Sequence, residues 1–190
     1  GYFHPVKPGR ARVMVAAAGR QIALPVTVKS VANPPISFVR EVMPVISRAG
    51  CNAGTCHGSA KGKDGFKLSL RGYDPAFDHA ALVNDLSGRR FNRSDPDQSL
   101  MLLKPTEGVP HQGGLVFEKD SRFYRVLRQW IAEGVTLDKA ARVQSLEVIP
   151  PAPRLDMPGM AQQMLVIAHY PDGSTRDVTR DAVFTSSVPD

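Results

Sequence analysis

The period of the hydrophobic positions changes twice along the chain and divides it into three zones. In the first zone, residues 1–35, residues 11–15 alternate in character and residues 22–28 are rich in β-branched side chains. Both patterns predict β-strands, and Gly19-Arg20 between them predicts the turn of a hairpin. Asn33-Pro34-Pro35 predicts a break in the chain before the second zone.

Apolar side chains recur at helical spacing in the second zone, residues 37–137. Residues 38–49 match one face of a helix, with Ser37 as the candidate N-cap and Gly50 as the stop. Pro44 predicts a kink in this helix or a late start, because proline lacks the N–H of a helical bond.

Aspartate-proline pairs predict two further helix starts in this zone. Asp74-Pro75 opens a helix that reaches about Leu86, and Asp95-Pro96 precedes a short helix over residues 99–104. Proline at the first helical position has the backbone angle that a helix requires and loses no hydrogen bond there.

The clearest helix of the chain begins after Ser121 or Asp120 and ends at Gly134. Its apolar stripe is expected to pack against the other helices of the zone in one core. The predicted core consists of Phe38, Val42, Phe66, Leu68, Leu70, Leu82, Leu86, Leu100, Leu102, Leu103, Leu127, Trp130 and Ile131.

Strand character returns in the third zone, residues 145–190. Residues 146–149, 164–170 and 183–185 are the predicted strands, and Pro171-Asp-Gly-Ser174 predicts a tight turn. The predicted fold class is therefore α+β, with a helical domain between two strand zones.

Composition narrows the class of protein. The 190 residues are 42% hydrophobic, which is typical of a packed globular protein. No apolar run long enough for a membrane span occurs, and residues 1–20 lack the apolar core of a signal peptide. Strand character close to residue 1 suggests a piece of a longer protein.

The net charge of the chain is +6, and its basic residues are spread along the sequence without forming a run. We therefore expect a mildly basic surface and no nucleic-acid role.

Both cysteines of the chain lie in one segment, Cys51-Asn-Ala-Gly-Thr-Cys56-His57. A cysteine pair that ends in Cys-His is the attachment signature of a c-type haem. Cys51 and Cys56 would add to the two vinyl groups, and His57 would be the proximal iron ligand. Four residues separate these cysteines where the usual motif has two, and the small Asn-Ala-Gly-Thr insert allows a bulge beside a porphyrin.

Three other roles fit the same cysteine segment. Cys51 and Cys56 would form a local disulfide in an exported protein without haem. They would bind zinc together with His57 and another histidine, although the sequence offers no fourth ligand at a recognisable spacing. The third alternative is a pair of reduced thiols without a cofactor.

The second axial ligand would decide the chemistry of a haem site. His111 is the leading candidate, because it lies in the glycine- and proline-rich loop of residues 104–119 and loops of that length are usually functional. Met101 is the alternative distal ligand, although its apolar neighbours favour a core position. Two histidine ligands give a lower reduction potential than histidine with methionine. The other histidines are poorer candidates. His79 lies on a polar helix face beside Asp78 and is expected to be solvated, and His4 and His169 lie in the strand zones.

Five motifs of the second zone together resemble the planctomycete-type cytochrome c domains. They lie at residues 38–46, 51–62, 66–74, 97–104 and 127–134. The resemblance covers residues 37–137 and implies an exported multidomain protein with a haem c domain for electron transfer. The better-known branch of the family carries Cys-x-x-Cys-His and a Met-Pro-Pro loop that offers methionine to the iron. Val109-Pro110-His111 stands at that loop here, which favours His111 as the ligand.

Asp172-Gly173 and Asp177-Val178-Thr179 lie in a stretch, residues 145–190, that resembles the first half of a bacterial immunoglobulin-like domain of group 2. Residues 1–35 resemble the last strands of such a domain. A two-stranded hairpin is marginal in water by itself. We therefore expect residues 1–35 and 145–190 to form one β-sandwich, within a chain or in a strand-swapped dimer.

These patterns predict a monohaem c-type cytochrome domain beside an immunoglobulin-like module, exported to the periplasm or the cell surface. The cofactor would be haem c, and the function would be electron transfer to or from an unidentified redox partner protein, rather than catalysis. Two rival functions stay open. One is a haem peroxidase or gas-binding site with an open iron position, and the other is a haem-free adhesion or glycan-binding module with a Cys51–Cys56 disulfide.

Overall fold

The first described element is a β-hairpin, as its alternating pattern predicts. The computed structural model describes residues 5–31 and 34–188, so His4 and Asn33 lie outside the described residues. Strand β1, Gly9–Ala17, pairs antiparallel with β2, Arg20–Val28. Ala18 and Gly19 form the turn with φ values of 48° and 73°. A two-residue hairpin loop with both φ values positive matches the twist of the strands that it joins.

The chain divides into two compact units, Gly1–Pro35 and Ile36–Asp190. In the first unit, the register places Val13 opposite Leu24 and Val15 opposite Ile22. Because side chains alternate across a strand, these four lie on one face of the hairpin. The hairpin is thus amphipathic, with an apolar face and a face that carries basic and polar residues.

The second unit begins with two consecutive helical segments. A π-helical turn, Phe38–Val42, leads directly into helix α1, Met43–Arg48. Ser37 caps the turn, since its hydroxyl accepts a hydrogen bond from the Arg40 N–H at 2.9 Å. The proline prediction is confirmed: Pro44 has no N–H to donate to the Arg40 carbonyl, and the α-helix starts late.

Three further α-helices complete the helical part. Helix α2, Pro75–Val83, is capped by the Asp74 carboxylate, which accepts the N–H groups of Ala76 and Phe77. Helix α3, Leu100–Leu103, is short, and α4, Arg122–Ala132, is the longest. The Ser121 hydroxyl accepts the Tyr124 N–H, so Ser121, and not Asp120, is the N-cap of α4. Helix α2 ends three residues before Leu86, where we expected its end.

One hydrophobic core fills the helical part. Most of its predicted members are buried, but Leu70 is 52% exposed and Leu86 is 59% exposed, so their assignment to the core is wrong. Both lie in tight turns where the chain leaves the helical conformation, with φ values of 54° at Arg71 and 53° at Leu86 itself. The fully or nearly buried apolar members are Phe38, Val42, Met43, Val45, Ile46, Leu68, Leu82, Leu102, Phe117, Tyr124, Leu127, Trp130, Ile131 and Val135.

A three-stranded antiparallel sheet ends the second unit. Its strands are β3, Ser145–Ile149, β4, Leu165–His169, and β5, Thr175–Asp177, in the order β3-β4-β5. The strand predicted at residues 183–185 is wrong, because β5 forms earlier. The turn at residues 171–174 folds the chain straight back, so that Thr175 pairs with His169.

The sheet packs against the helical part through its central strand and through β5. Val166, Ala168 and Tyr170 alternate along one side and are buried. The Arg40 guanidinium lies 3.9 Å from the centre of the Tyr170 ring. From β5, Arg176 donates a hydrogen bond of 3.2 Å to the Arg40 carbonyl, the oxygen to which Pro44 has no N–H to donate.

A second tie joins the segment after β5 to helix α4. The Arg122 guanidinium donates to both carboxylate oxygens of Asp181, at 2.5 and 3.2 Å, and the Asp181 side chain is only 6% exposed. Two-point pairing of a guanidinium with a shielded carboxylate is among the stronger polar interactions in proteins.

Replacing Asp181 with asparagine is therefore expected to destabilise the protein by about 1.5–3 kcal/mol, the usual cost of losing a hydrogen bond to a charged group. Urea denaturation followed by circular dichroism measures this loss. Asp156→Asn is the matched control, because Asp156 lies 4.0 Å from Arg154 and both side chains are largely exposed. Equal effects of the two substitutions would show that Arg122 and Asp181 do not hold the segment.

The fold class is α+β, as predicted. The sandwich formed from residues 1–35 and 145–190, and the cytochrome-like fold of residues 37–137, stay predictions. Within residues 5–31 and 34–188, no helix has both the length and the apolar character needed to cross a membrane.

Candidate functional site

The cysteine segment forms a compact loop that starts at the end of helix α1. Gly50 adopts a φ of +80°, which ends the helix, and the Cys51 N–H bonds to the Ile46 carbonyl at 3.0 Å. The loop then closes on itself, because the His57 N–H donates to the Cys51 carbonyl at 3.0 Å. One short loop therefore holds both thiols and the imidazole.

Asn52 and Gly58 fix the path of this loop. Asn52 is buried, and its side-chain amide donates to the Ser47 hydroxyl at 2.9 Å. The Gly58 N–H bonds to the Ala53 carbonyl at 3.1 Å, and a Cβ at residue 58 would lie 2.0 Å from the Asn52 carbonyl oxygen. Only glycine allows this approach of two backbone segments. Sequence analysis predicted neither role.

The His57 ring is oriented by a backbone carbonyl. Its Nδ1 lies 3.1 Å from the Phe66 carbonyl oxygen, and the His57 and Phe66 rings pack with their centroids 4.6 Å apart. A carbonyl accepts only, so Nδ1 carries the proton and Nε2 keeps a free electron pair. This is the arrangement that metal-binding histidines use, with the second nitrogen held by an outer hydrogen bond.

The protonation of His57 also suits a ligand. Burial lowers the pKa of His57, and electrostatic interactions with His111, Lys104 and Arg90 lower it further, while the hydrogen bond to Phe66 opposes them. The imidazole is therefore neutral at neutral pH, which is the form that binds a metal.

Both cysteines are free thiols in the structure. Burial, followed by the electrostatic effect of Cys56, raises the pKa of the Cys51 thiol to about 11. This thiol is therefore protonated at neutral pH. Among the described residues, no group of three or more His, Cys, Asp or Glu side chains has the geometry of a metal site. The porphyrin supplies four of the ligands of a haem iron, so a haem site needs no cluster of three such side chains around the metal.

His111 lies in the loop of residues 104–119, where the sequence placed the second ligand. Its Nδ1 is 3.3 Å from the Gly114 carbonyl oxygen, and the side chain is half-buried. A Cβ at Gly113 would lie 2.7 Å from the His111 ring, so the chain turns closely around this side chain. His111 is also one of the groups whose electrostatic effect lowers the pKa of His57.

Met101 packs partly buried against the hydrophobic core, and its N–H bonds to the Arg90 carbonyl. This placement matches the core position that its sequence neighbours favour. His169 pairs with Glu147 at 3.0 Å on the exposed side of the sheet.

The prediction that His79 is solvated is wrong. Its ring packs edge-on against Phe38 at 5.1 Å, and its Nε2 lies 2.8 Å from the Val135 carbonyl oxygen. The neighbouring Asp78 is buried, and its carboxylate accepts hydrogen bonds from the backbone and hydroxyl of Ser69. The helix face that looks polar in sequence therefore points toward the core.

The residues of this loop fit a covalently attached haem. The loop holds two unpaired thiols next to a neutral imidazole whose Nε2 is free, and His111 is among the groups that act electrostatically on that imidazole. These are the groups that a c-type haem requires from a protein. No family model, curated protein or solved structure matches this chain.

Proposed function

We propose that this chain contains a monohaem c-type cytochrome domain that transfers electrons, with haem c joined to Cys51 and Cys56. The observation that carries the proposal is the His57 ring, which follows the second cysteine directly and is held at Nδ1 by the Phe66 carbonyl at 3.1 Å. The protein would be exported, to the periplasm or the cell surface, and would exchange electrons with a partner protein.

Each candidate site residue has a defined role in this proposal. Cys51 and Cys56 tether the haem as thioethers, His57 is the proximal ligand, and His111 is the distal ligand with Met101 as its alternative. The bound haem supplies a one-electron iron couple. The chain itself fixes the His57 ring and keeps it neutral, and Cys51 and Phe66 pack against the hydrophobic core.

The decisive experiment is to express the chain with a haem-attachment system in an oxidising compartment. We expect a pyridine haemochrome spectrum of haem c and an intact mass larger than the bare polypeptide by one haem. The control is Cys51→Ala/Cys56→Ala, which keeps His57 and removes both tethers. A wild-type protein with the mass of the bare polypeptide would refute the proposal and favour a haem-free adhesion module.

The axial ligands lead to a second expected result. In His111→Met the reduction potential rises, because thioether ligation favours reduced iron, and the iron stays six-coordinate and low-spin. In His111→Ala the iron gains an open position, so the optical spectrum becomes high-spin and cyanide binds.

The control for these variants is His169→Ala, which removes an imidazole from the sheet and is expected to leave the haem spectrum unchanged. An unchanged low-spin spectrum in His111→Ala would assign the distal position to another residue, and Met101→Leu would then test the alternative. Cyanide binding and a high-spin spectrum in the wild-type protein would instead favour the peroxidase or gas-binding function.

A further inference from the structure

Arg90 is a buried positive charge without a carboxylate partner. Arg90 is 8% exposed, and among the described residues no Asp or Glu oxygen lies within salt-bridge distance of its guanidinium. Its guanidinium donates to two carbonyl oxygens, those of Ala81 at 3.0 Å and Asp85 at 3.1 Å. Arginine is almost never fully buried unless it is paired, because an unpaired buried charge destabilises the fold.

The charged groups around Arg90 do not neutralise it. Burial lowers the pKa of Arg90, the Asp85 carboxylate raises it through its charge, and the neighbouring Arg89 lowers it again. The Asp85 carboxylate thus acts from a distance, and the carbonyl bonds at Ala81 and Asp85 use only one guanidinium nitrogen, Nη1. The other guanidinium nitrogens make no hydrogen bond among the described residues and are not fully shielded from solvent, so they are accessible to another acceptor.

The position of Arg90 connects it to the cysteine loop. Its guanidinium carbon lies 4.0 Å from the centre of the Phe66 ring. Phe66 in turn packs against the His57 ring and holds its Nδ1 through the backbone carbonyl. Arg90, Phe66 and His57 therefore form one contiguous cluster, which we call the Arg90 cluster.

We propose that Arg90 binds the carboxylate of a haem propionate and is a positioning residue of the haem site. The inference rests on the proposed function, since it needs a haem tethered in the loop. Haem carries two propionates, which are anions that must be neutralised where they lie away from water. A guanidinium matches a carboxylate with two parallel hydrogen bonds, and its fixed positive charge would favour the reduced state of the haem.

A purely structural role for Arg90 is the alternative. The Ala81 carbonyl lies in the last turn of helix α2 and the Asp85 carbonyl lies just after the helix, so the side chain also serves as a hydrogen-bond donor at the end of that helix. A neutral amide can donate to a carbonyl as well as a guanidinium can, but it cannot neutralise a propionate. The two roles are therefore separated by removing the charge and keeping a donor.

The experiment uses holo protein and the variants Arg90→Gln, Arg90→Lys and Arg89→Gln. Arg90→Gln removes the charge and keeps a donor, and Arg90→Lys keeps the charge. Arg89→Gln changes the net charge equally at an exposed neighbouring residue. The readouts are the reduction potential at fixed pH and ionic strength, and the resonance Raman bending bands of the propionates, which respond to their hydrogen bonds.

At a fixed solution potential, we expect Arg90→Gln to lower the ratio of reduced to oxidised protein about tenfold or more. For a one-electron couple this corresponds to a reduction potential that is lower by about 59 mV. Its propionate bands are expected to shift. Arg90→Lys should stay near the wild-type potential, and Arg89→Gln should change the ratio much less because water and salt screen its charge.

Equal changes of potential in Arg90→Gln and Arg89→Gln, or propionate bands that do not move in Arg90→Gln, would overturn the inference. If Arg90→Gln fails to fold, Arg90→Lys decides, since propionate bands identical to those of the wild type would then count against a carboxylate contact at residue 90. A wild-type protein without covalent haem would refute the proposed function itself, which is a different outcome.

Discussion

Replacing Gly58 with alanine is expected to unfold the cysteine loop and to destabilise the whole protein by about 3 kcal/mol or more, at the upper end of overpacking effects. The added Cβ would lie 2.0 Å from the Asn52 carbonyl oxygen and 2.6 Å from its carbon. Both atoms belong to the backbone, so no side-chain rotation relieves the clash. Displacing Asn52 also breaks the bond that its carbonyl accepts from the Arg71 N–H.

Gly54→Ala is the matched control, because it adds the same methyl group to the same loop. A Cβ at Gly54 meets only Leu70 Cδ1, at 3.6 Å, which is an ordinary contact. Urea denaturation measures both free energies of unfolding, and we expect Gly54→Ala to stay within about 0.5 kcal/mol of the wild type. In holo protein the yield of covalent haem should fall for Gly58→Ala alone. Equal stability of the two variants would mean that residues 52 and 58 are not in close contact.

Replacing Trp130 with alanine is expected to cost about 3–5 kcal/mol, the range for removing a large aromatic side chain from a core. Trp130 is fully buried and packs against Phe38 at 5.1 Å and Phe91 at 5.4 Å. Its indole N–H donates to the Thr136 carbonyl at 2.9 Å, so the substitution also leaves that oxygen without its partner. Thermal and urea denaturation give the loss of stability.

Phe77→Ala is the control for this substitution. Phe77 is an aromatic residue of α2 that is 43% exposed, so its removal leaves a much smaller cavity. We expect a loss below about 1 kcal/mol. A loss for Trp130→Ala no larger than for Phe77→Ala would contradict the position of Trp130 at the centre of the core.

Local signals in the sequence predict the starts of the elements well. Ser37, Asp74 and Ser121 are each next to a helical pattern, and the structure shows each as a cap with a hydrogen bond to the backbone. Capping depends on residues within one turn of each other, so it is legible in a sequence. The sequence also predicts a hairpin turn, at Gly19-Arg20, and the structure has this turn one residue earlier, at Ala18 and Gly19.

Features that depend on distant contacts were harder to predict. The strand expected at residues 183–185 is wrong, because pairing with β4 selects Thr175–Asp177 instead. Leu70 and Leu86 have apolar side chains, yet left-handed turns in the backbone direct them outward. Residue type alone does not give the direction of a turn.

In the candidate site, too, features set by neighbouring residues could be predicted and features set by distant contacts could not. Cys51, Cys56 and His57 are adjacent in sequence, so their shared loop could be predicted. The contact of Phe66 with His57, and the burial of Arg90 and Asn52, depend on how separate segments meet in space. Polar residue types usually indicate exposure, and a buried arginine or asparagine therefore gives no signal in a single sequence.

The hydrogen bond from Arg176 to the Arg40 carbonyl has a consequence for any attempt to isolate the helical part. A chain shortened to end at residue 144 would lose this donor and would uncover the Arg40 guanidinium, which now lies on Tyr170. In the helical segment that leads into Cys51, the Arg40 carbonyl would then have water as its hydrogen-bond donor in place of Arg176. A chain cut back to its helical part would thus have a less stable helical segment before the cysteine loop.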